Sequence, residues 1–272
     1  MIFGLEWQLI VELLVLGVCT GFLAGLLGIG GGMLLVPFMT LLLSFKGFPP
    51  DLIVKIAVAT SLATICFTSI SSVRAHHARG AVRWDVVKLL APGIVVGSML
   101  GAQAAKALPS NVLALIFAGF VGFSATQMFI DKKPKPTRQL PQGVGMFGAG
   151  GVIGVLSALV GAGGGFISVP FMAWCNVKIH NAVATSAALG FPIALAGTIG
   201  YVLAGWSLSD TPPGTVGFLY LPALIIISLA SVTTAPLGAR TAHKLDVKPL
   251  KRIFAVMLYV LAVYMLYNGL AG

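Results

Sequence analysis

Long apolar runs broken by short polar turns dominate the chain. They predict long helices at about Leu5–Leu27, Leu52–Val73, Val86–Ala107, Val112–Ile130, Val144–Val160, Ile179–Ala204, Phe218–Arg240 and Leu250–Leu270. Two further apolar pieces, Met33–Ser44 and Phe166–Asn176, are short for a bilayer core of about 30 Å at about 1.5 Å of helix rise per residue. Each follows a glycine break: Gly28-Ile29-Gly30-Gly31-Gly32 in one case, Gly161-Ala162-Gly163-Gly164-Gly165 in the other. The breaks belong to a duplicated stretch. Between Gly17–Met39 and Gly150–Met172, twelve residues recur at a constant offset of 133, ending in Val36-Pro37-Phe38-Met39 and Val169-Pro170-Phe171-Met172. Ala57-Val58-Ala59-Thr60-Ser61 likewise returns as Ala182-Val183-Ala184-Thr185-Ser186, at an offset of 125.

The duplication covers nearly the whole chain, so residues 1–272 read as one membrane domain. Repeat 1 spans 5–130, the Pro- and Lys-rich linker 131–143, and repeat 2 spans 144–270. Basic residues follow the positive-inside pattern: Arg74, Arg79, Arg83 and Lys88 mark one loop as cytoplasmic, and Lys132, Lys133, Lys135 and Arg138 mark the linker. The loop 205–217 has no Lys or Arg and is expected outside. Equivalent loops on opposite faces make the repeats inverted, which requires an odd number of crossings in each. Either the short pieces cross, or each forms a re-entrant hairpin with the helix before it. Re-entrant backbone is tolerated where it is buried in protein or lines a wet cavity, and that geometry, which brings the glycine tips together, is preferred here. Both termini are then expected outside. The fold class is an all-α polytopic membrane protein with two inverted repeats, each of four long helices plus one short helix after a GxGGG break.

Composition agrees. Hydrophobic residues make up 58% of the chain and charged ones 9%, against about 25% charged in soluble domains. The net charge of +10 lies in loops between apolar runs, which argues against a nucleic-acid partner and for contact with membrane lipid. Cys19, Cys66 and Cys175 have no metal-ligand spacing. No nucleophile–base pair, metal cluster or cofactor motif emerges, so the chain reads as a non-enzyme without cofactor or metal.

A helix that begins at a glycine break leaves its first amides unpaired and places partial positive charge there. Such an end binds an anion without any basic side chain, and interrupted helices at matching points of two halves point to a transporter site. The alternative is that the glycines serve close helix packing. Candidate substrate-binding residues are Gly30, Gly31, Gly32, Thr60, Ser61, Gly163, Gly164, Gly165, Thr185 and Ser186. A hydroxyl can donate to an oxyanion, although in a membrane helix it ordinarily bonds back to the i−4 carbonyl. Lys55 and His180, at equivalent positions, are candidates for an entrance. Glu12, the only carboxylate plainly inside an apolar run, is a candidate for proton coupling.

The paired G-x-G-G-G-x-x-x-V-P motifs, the A-V-A-T-S helices and His77-Ala78-Arg79-Gly80-Ala81-Val82-Arg83-Trp84, followed by Gly97 and Gly101-Ala102, resemble the sulfite exporter TauE/SafE family, also called toluenesulfonate uptake permeases. The resemblance implies a bacterial inner-membrane transporter of small sulfur-containing anions such as sulfite, sulfonates or sulfoacetate. It fixes neither substrate nor direction, and oligomeric state stays open. An anion channel of the same architecture, or a non-transporting membrane assembly or chaperone subunit, are the alternatives. The scarcity of membrane carboxylates favours export, which needs no coupling ion.

Overall fold

The structure, a computed structural model, describes residues 7–27, 32–130, 138–208, 211–242 and 247–271. Ten helices follow one another among them: α1 (Trp7–Leu27), α2 (Gly32–Phe45), α3 (Pro50–His77), α4 (Trp84–Ala107), α5 (Ser110–Ile130), α6 (Val144–Val160), α7 (Gly165–Trp174), α8 (Ile179–Gly205), α9 (Leu221–Ala242) and α10 (Val247–Ala271). Seven are long and apolar enough to cross a membrane; α2, α6 and α7 are shorter. The expected eighth long helix is therefore corrected. α6 has the anticipated ends, but its 17 residues span only about 25 Å.

Local chemistry corrects three smaller expectations. The basic segment after residue 73 is not all loop, because α3 continues through Arg74 to His77. The turn before α3 makes Asp51 a natural cap by sequence, but Pro49 holds that position and Asp51 lies in the first turn. The polar loop before α9 contains a two-residue antiparallel ribbon, β1 (Thr215–Val216) and β2 (Leu219–Tyr220).

Helix directions follow from who meets whom. α4 and α6 run parallel, with Gly93 against Phe147, Gly97 against Gly151 and Gly101 against Val155. α1 and α9 do the same through Gly17 at Ile227 and Gly21 at Ser231. α3 and α8 cross the centre antiparallel, Leu62 lying at Gly197 and Ser69 at Gly190. α5 and α10 are also antiparallel, with Tyr259 bonded to Thr126 and Leu115 packed at Gly269. α3 is the most enclosed of the long helices: its most apolar stretch is 83% buried, against 33–56% in the other six. An all-round apolar helix belongs in such a core.

The glycine seams set how close these helices come. A Cβ on Gly97 would lie 2.1 Å from the Gly151 carbonyl oxygen, and one on Gly154 would lie 2.4 Å from that of Ile94. Lipid offers no hydrophobic drive between helices, so close backbone approach supplies the dispersion contacts instead.

Two hairpins result. The Trp174 carbonyl at the end of α7 accepts the Arg138 amide, which precedes α6. The pair α6–α7 thus enters the bundle and returns to the face bearing Arg83. α1 runs parallel to α9, which starts beside Tyr220, and Phe48 after α2 packs edge-on against the Tyr220 ring at 5.4 Å. The pair α1–α2 therefore enters and returns at the Tyr220 face.

The seam generates a test. Gly97→Ala should lower the thermal unfolding midpoint sharply or abolish a monodisperse detergent-solubilised species. Gly119→Ala, where nothing lies within 4 Å of the added methyl, should be nearly neutral. Equal midpoints for the two variants would remove the seam as a packing constraint.

Candidate functional site

The second hairpin tip is fully described. α6 stops at Gly161, whose φ of +69° suits glycine, and the Ser157 carbonyl accepts the amides of Gly161 and Ala162. α7 starts after Gly164, also left-handed at φ +73°. The amides of Ile167 and Ser168 bond back to the Gly164 carbonyl. Those of Gly163, Gly164, Gly165 and Phe166 find no acceptor among the described residues. They are the orphan donors of a helix start, held inside the bundle. Three hydroxyls surround them. Ser168 Oγ lies 2.9 Å from the Gly164 carbonyl and 2.8 Å from Ser186 Oγ. Ser157 Oγ is buried, has no partner among the described residues, and lies 3.1 Å from where a Cβ on Gly164 would stand.

The first hairpin reaches this tip through Gly32, the first residue of α2. A Cβ there would lie 2.4 Å from the Gly161 carbonyl oxygen, so the two hairpins touch backbone to backbone. Ser61 joins them: its hydroxyl is 2.8 Å from the Gly161 carbonyl and 3.4 Å from that of Gly32. Gly30 and Gly31 lie outside the described residues.

Beside Gly32 is a small cavity of mixed lining. The hydroxyl-bearing residues Thr20, Thr64, Thr68 and Ser231 line it, together with Leu35, Ile65 and small residues including Gly32. It has room for about one water. All four hydroxyls donate to helix carbonyls, Thr20 to Leu16 at 2.7 Å, Thr64 to Thr60 at 2.9 Å, Thr68 to Thr64 at 3.4 Å and Ser231 to Gly17 at 3.0 Å. A hydroxyl bonded this way can rotate to donate to a ligand instead, so the cavity presents convertible donors at the positive end of α2.

Thr60 and Thr185 are placed differently. Neither lines this cavity. Thr60 Oγ1 accepts the Tyr220 amide at 3.2 Å, just before α9. Thr185 Oγ1 accepts the Arg83 amide at 3.0 Å, just before α4. Each threonine thereby holds the start of the fourth helix of the opposite half, and neither hydroxyl proton has an acceptor among the described residues. Asn181 reinforces the second contact by donating to the Ala81 carbonyl at 2.9 Å.

The remaining candidates stand apart. Lys55 donates to the Lys106 carbonyl at 3.2 Å, at the end of α4, and lies over the Phe218 ring. His180 is exposed in the first turn of α8. Glu12 accepts from Gln8 at 3.2 Å, and its second carboxylate oxygen is buried without a partner among the described residues. Among the described residues no cluster of His, Cys, Asp or Glu could hold a metal ion.

Sequence reasoning passed over six hydroxyls of this region: Thr20, Thr64, Thr68, Ser157, Ser168 and Ser231. Thr64 and Thr68 continue the face of Thr60 at four-residue spacing, a legible signal. Ser157 and Ser168 stand where the first half has Ala24 and Leu35, so a search for duplicated residues cannot find them.

A bundle of apolar helices enclosing two interrupted ones, with amides at the α7 start that find no acceptor among the described residues, has the architecture of a membrane transporter. The sequence profile of the sulfite exporter TauE/SafE family matches residues 13–265, and the chain belongs to that family. It is a multi-pass membrane transporter protein. A probable membrane transporter protein of Haemophilus influenzae is 36% identical over 253 residues, covering 93% of this chain and 96% of the relative. One from Methanocaldococcus jannaschii is 27% identical, covering 98% of this chain and 100% of the relative. YunE of Bacillus subtilis, another probable membrane transporter protein, is 27% identical, with 96% and 98% covered. No solved structure matches the chain. The family membership read from the motifs is borne out.

Two glycines separate binding from folding. A methyl on Gly163 meets only ordinary contacts, Ile65 Cγ2 at 3.5 Å and Gly190 Cα at 4.0 Å, whereas one on Gly164 would lie 2.4 Å from Ile193 Cδ1 at a positive φ. Gly164→Ala should lose about 1 kcal/mol or more of stability. Gly163→Ala keeps its N–H but adds a methyl where a ligand would approach the backbone; it should keep the wild-type unfolding midpoint and lose about tenfold in anion affinity, the scale of one carbon's misfit in a packed site. Titration calorimetry with sulfite, alongside thermal unfolding, reads both. Unchanged affinity in Gly163→Ala would remove the amide cradle.

Proposed function

We propose that this chain is an inner-membrane carrier that exports small sulfur-containing anions such as sulfite, sulfonates or sulfoacetate. The observation that carries the reading is the meeting of two hairpin tips inside an apolar bundle, one of them with four unpaired amides and a buried unpartnered hydroxyl. Such a site attracts negative charge without a cation of its own. Gly30 to Gly32 and Gly163 to Gly165 supply backbone donors, and Ser61 and Ser186 supply hydroxyl donors. Thr60 and Thr185 hold the flanking helices and keep a free proton for the ligand or a water.

The two halves act as inverted repeats. The opposite entry of the hairpins and the antiparallel run of α3 and α8 support this. The face carrying Arg74, Arg79, Arg83 and Lys88 is cytoplasmic by the positive-inside pattern, which puts both termini outside. Transport then consists of opening one face while the other stays latched: Thr185 with Arg83 closes the cytoplasmic side, and Thr60 with Tyr220 closes the outer side. The membrane potential drives a monovalent anion outward by about 2.3 kcal/mol per 100 mV. A carrier is favoured over a channel because the tips are in contact and the cavity beside them admits about one water. An oxyanion binds only once that cavity widens.

Purified protein in vesicles should bind sulfite saturably and show counterflow, and should discriminate against a neutral isostere. Ohmic current without saturation would favour a channel; absence of both binding and flux for sulfite and short-chain sulfonates would overturn the reading. On intact cells, in a cysteine-free background, Ala78→Cys should react only after permeabilisation, while Ser207→Cys should react from outside. Reaction of both from one side would reject inversion.

A further inference from the structure

We infer that Ile65 sets the upper size of the anion that this transporter accepts, an assignment that rests on the transport reading above. Ile65 follows Ser61 by one turn of α3 and is 2% exposed. Its side chain touches both hairpin tips at once. Cδ1 lies 2.7 Å from where a Cβ on Gly32 would stand, and Cγ2 lies 3.5 Å from where one on Gly163 would stand. It also lines the cavity at the start of α2. The side chain is therefore a wedge: the convertible hydroxyls of Thr20, Thr64 and Thr68 lie on one side, and the unpaired amides of the α7 start on the other.

The second half has no counterpart. The offset of 125 that takes Thr60 to Thr185 takes Ile65 to Gly190. Gly190 lies against the Gly163 carbonyl at 3.6 Å and Ser69 Cβ at 3.7 Å, measured from its missing Cβ. Gly190 therefore puts no side chain opposite Ile65, and α8 meets the second tip one turn on, through Ile193 at Gly164. An anion that uses both helix starts must share the gap between the tips with Ile65. Carbon added to the anion beyond a compact oxyanion head competes directly with the isoleucine methyls.

Two substitutions move the limit in opposite directions. Ile65→Val and Ile65→Ala remove bulk stepwise. Gly190→Ala adds a methyl from the facing helix where only ordinary contacts await it. The probes are sulfite, methanesulfonate and sulfoacetate, titrated against purified protein of each variant, with thermal unfolding recorded in parallel. Wild type should prefer sulfite. The preference for sulfite over sulfoacetate should fall by about tenfold or more in Ile65→Ala, since one methylene in a packed pocket changes discrimination about 10–200-fold. It should fall by less in Ile65→Val, and rise in Gly190→Ala. Should Ile65→Ala not fold, the opposed shifts of Ile65→Val and Gly190→Ala carry the test. Wild type that binds sulfite while every folded variant keeps the wild-type ratio overturns the role of Ile65 alone. Wild type that binds none of the three anions overturns the transport reading and this assignment with it.

Discussion

A helix start inside a membrane protein leaves backbone N–H groups where water cannot reach them, and each must find a partner within the protein or in a ligand. This chain has two such starts, at Gly32 and Gly165. Much of the surrounding architecture answers that demand. The Ser157 carbonyl takes two amides at the turn, the Gly164 carbonyl takes two more, and Ser61 ties the tips together. The four amides left over at the α7 start are the polar residue of an otherwise balanced account. In a family of transporters, the simplest occupant for such donors is the transported anion.

The same tips explain why small residues crowd the seams. A hairpin that turns back inside the bundle must be held by its neighbours. α6 achieves this by lying backbone to backbone on α4, and α1 by lying on α9. Glycines at the breaks therefore serve two ends. At Gly32 a Cβ would run into the Gly161 carbonyl, so packing alone requires glycine there, while a methyl on Gly163 would meet only ordinary contacts. The choice between packing and binding is made residue by residue, not motif by motif.

Much of this was legible in the sequence. Apolar runs located the helices to within a few residues, because in a membrane every backbone bond must be made inside the segment. The glycine breaks gave the tips, and the recurrence of Thr60-Ser61 as Thr185-Ser186 marked residues that bridge elements. The partners of those residues were not legible. Thr60 meets Tyr220 across 160 positions and Thr185 meets Arg83 across 102, and no local pattern encodes such distances. The asymmetric hydroxyls, Ser157 and Ser168, were hidden for the opposite reason: duplication draws the eye to what the halves share, and these two are where they differ. The length of α6 misled because its apolar pattern is indistinguishable from that of a crossing helix.

The exchanged caps have a consequence for how the protein is made. The start of α4 is fixed by Thr185, and the Gly17 carbonyl of α1 by Ser231, which is translated more than two hundred residues later. Neither early helix can settle when it leaves the ribosome. The first hairpin must wait beside the insertion machinery or in lipid until α9 arrives, with its broken tip unsupported meanwhile. Contacts so distant in sequence are slow to form because the loop between them must close first. The nascent chain therefore passes through a long stage at which every helix of the first half exists and none of its seams to the second half does. The seam of α1 therefore closes only after α9 has been made, and protein truncated before α9 lacks it.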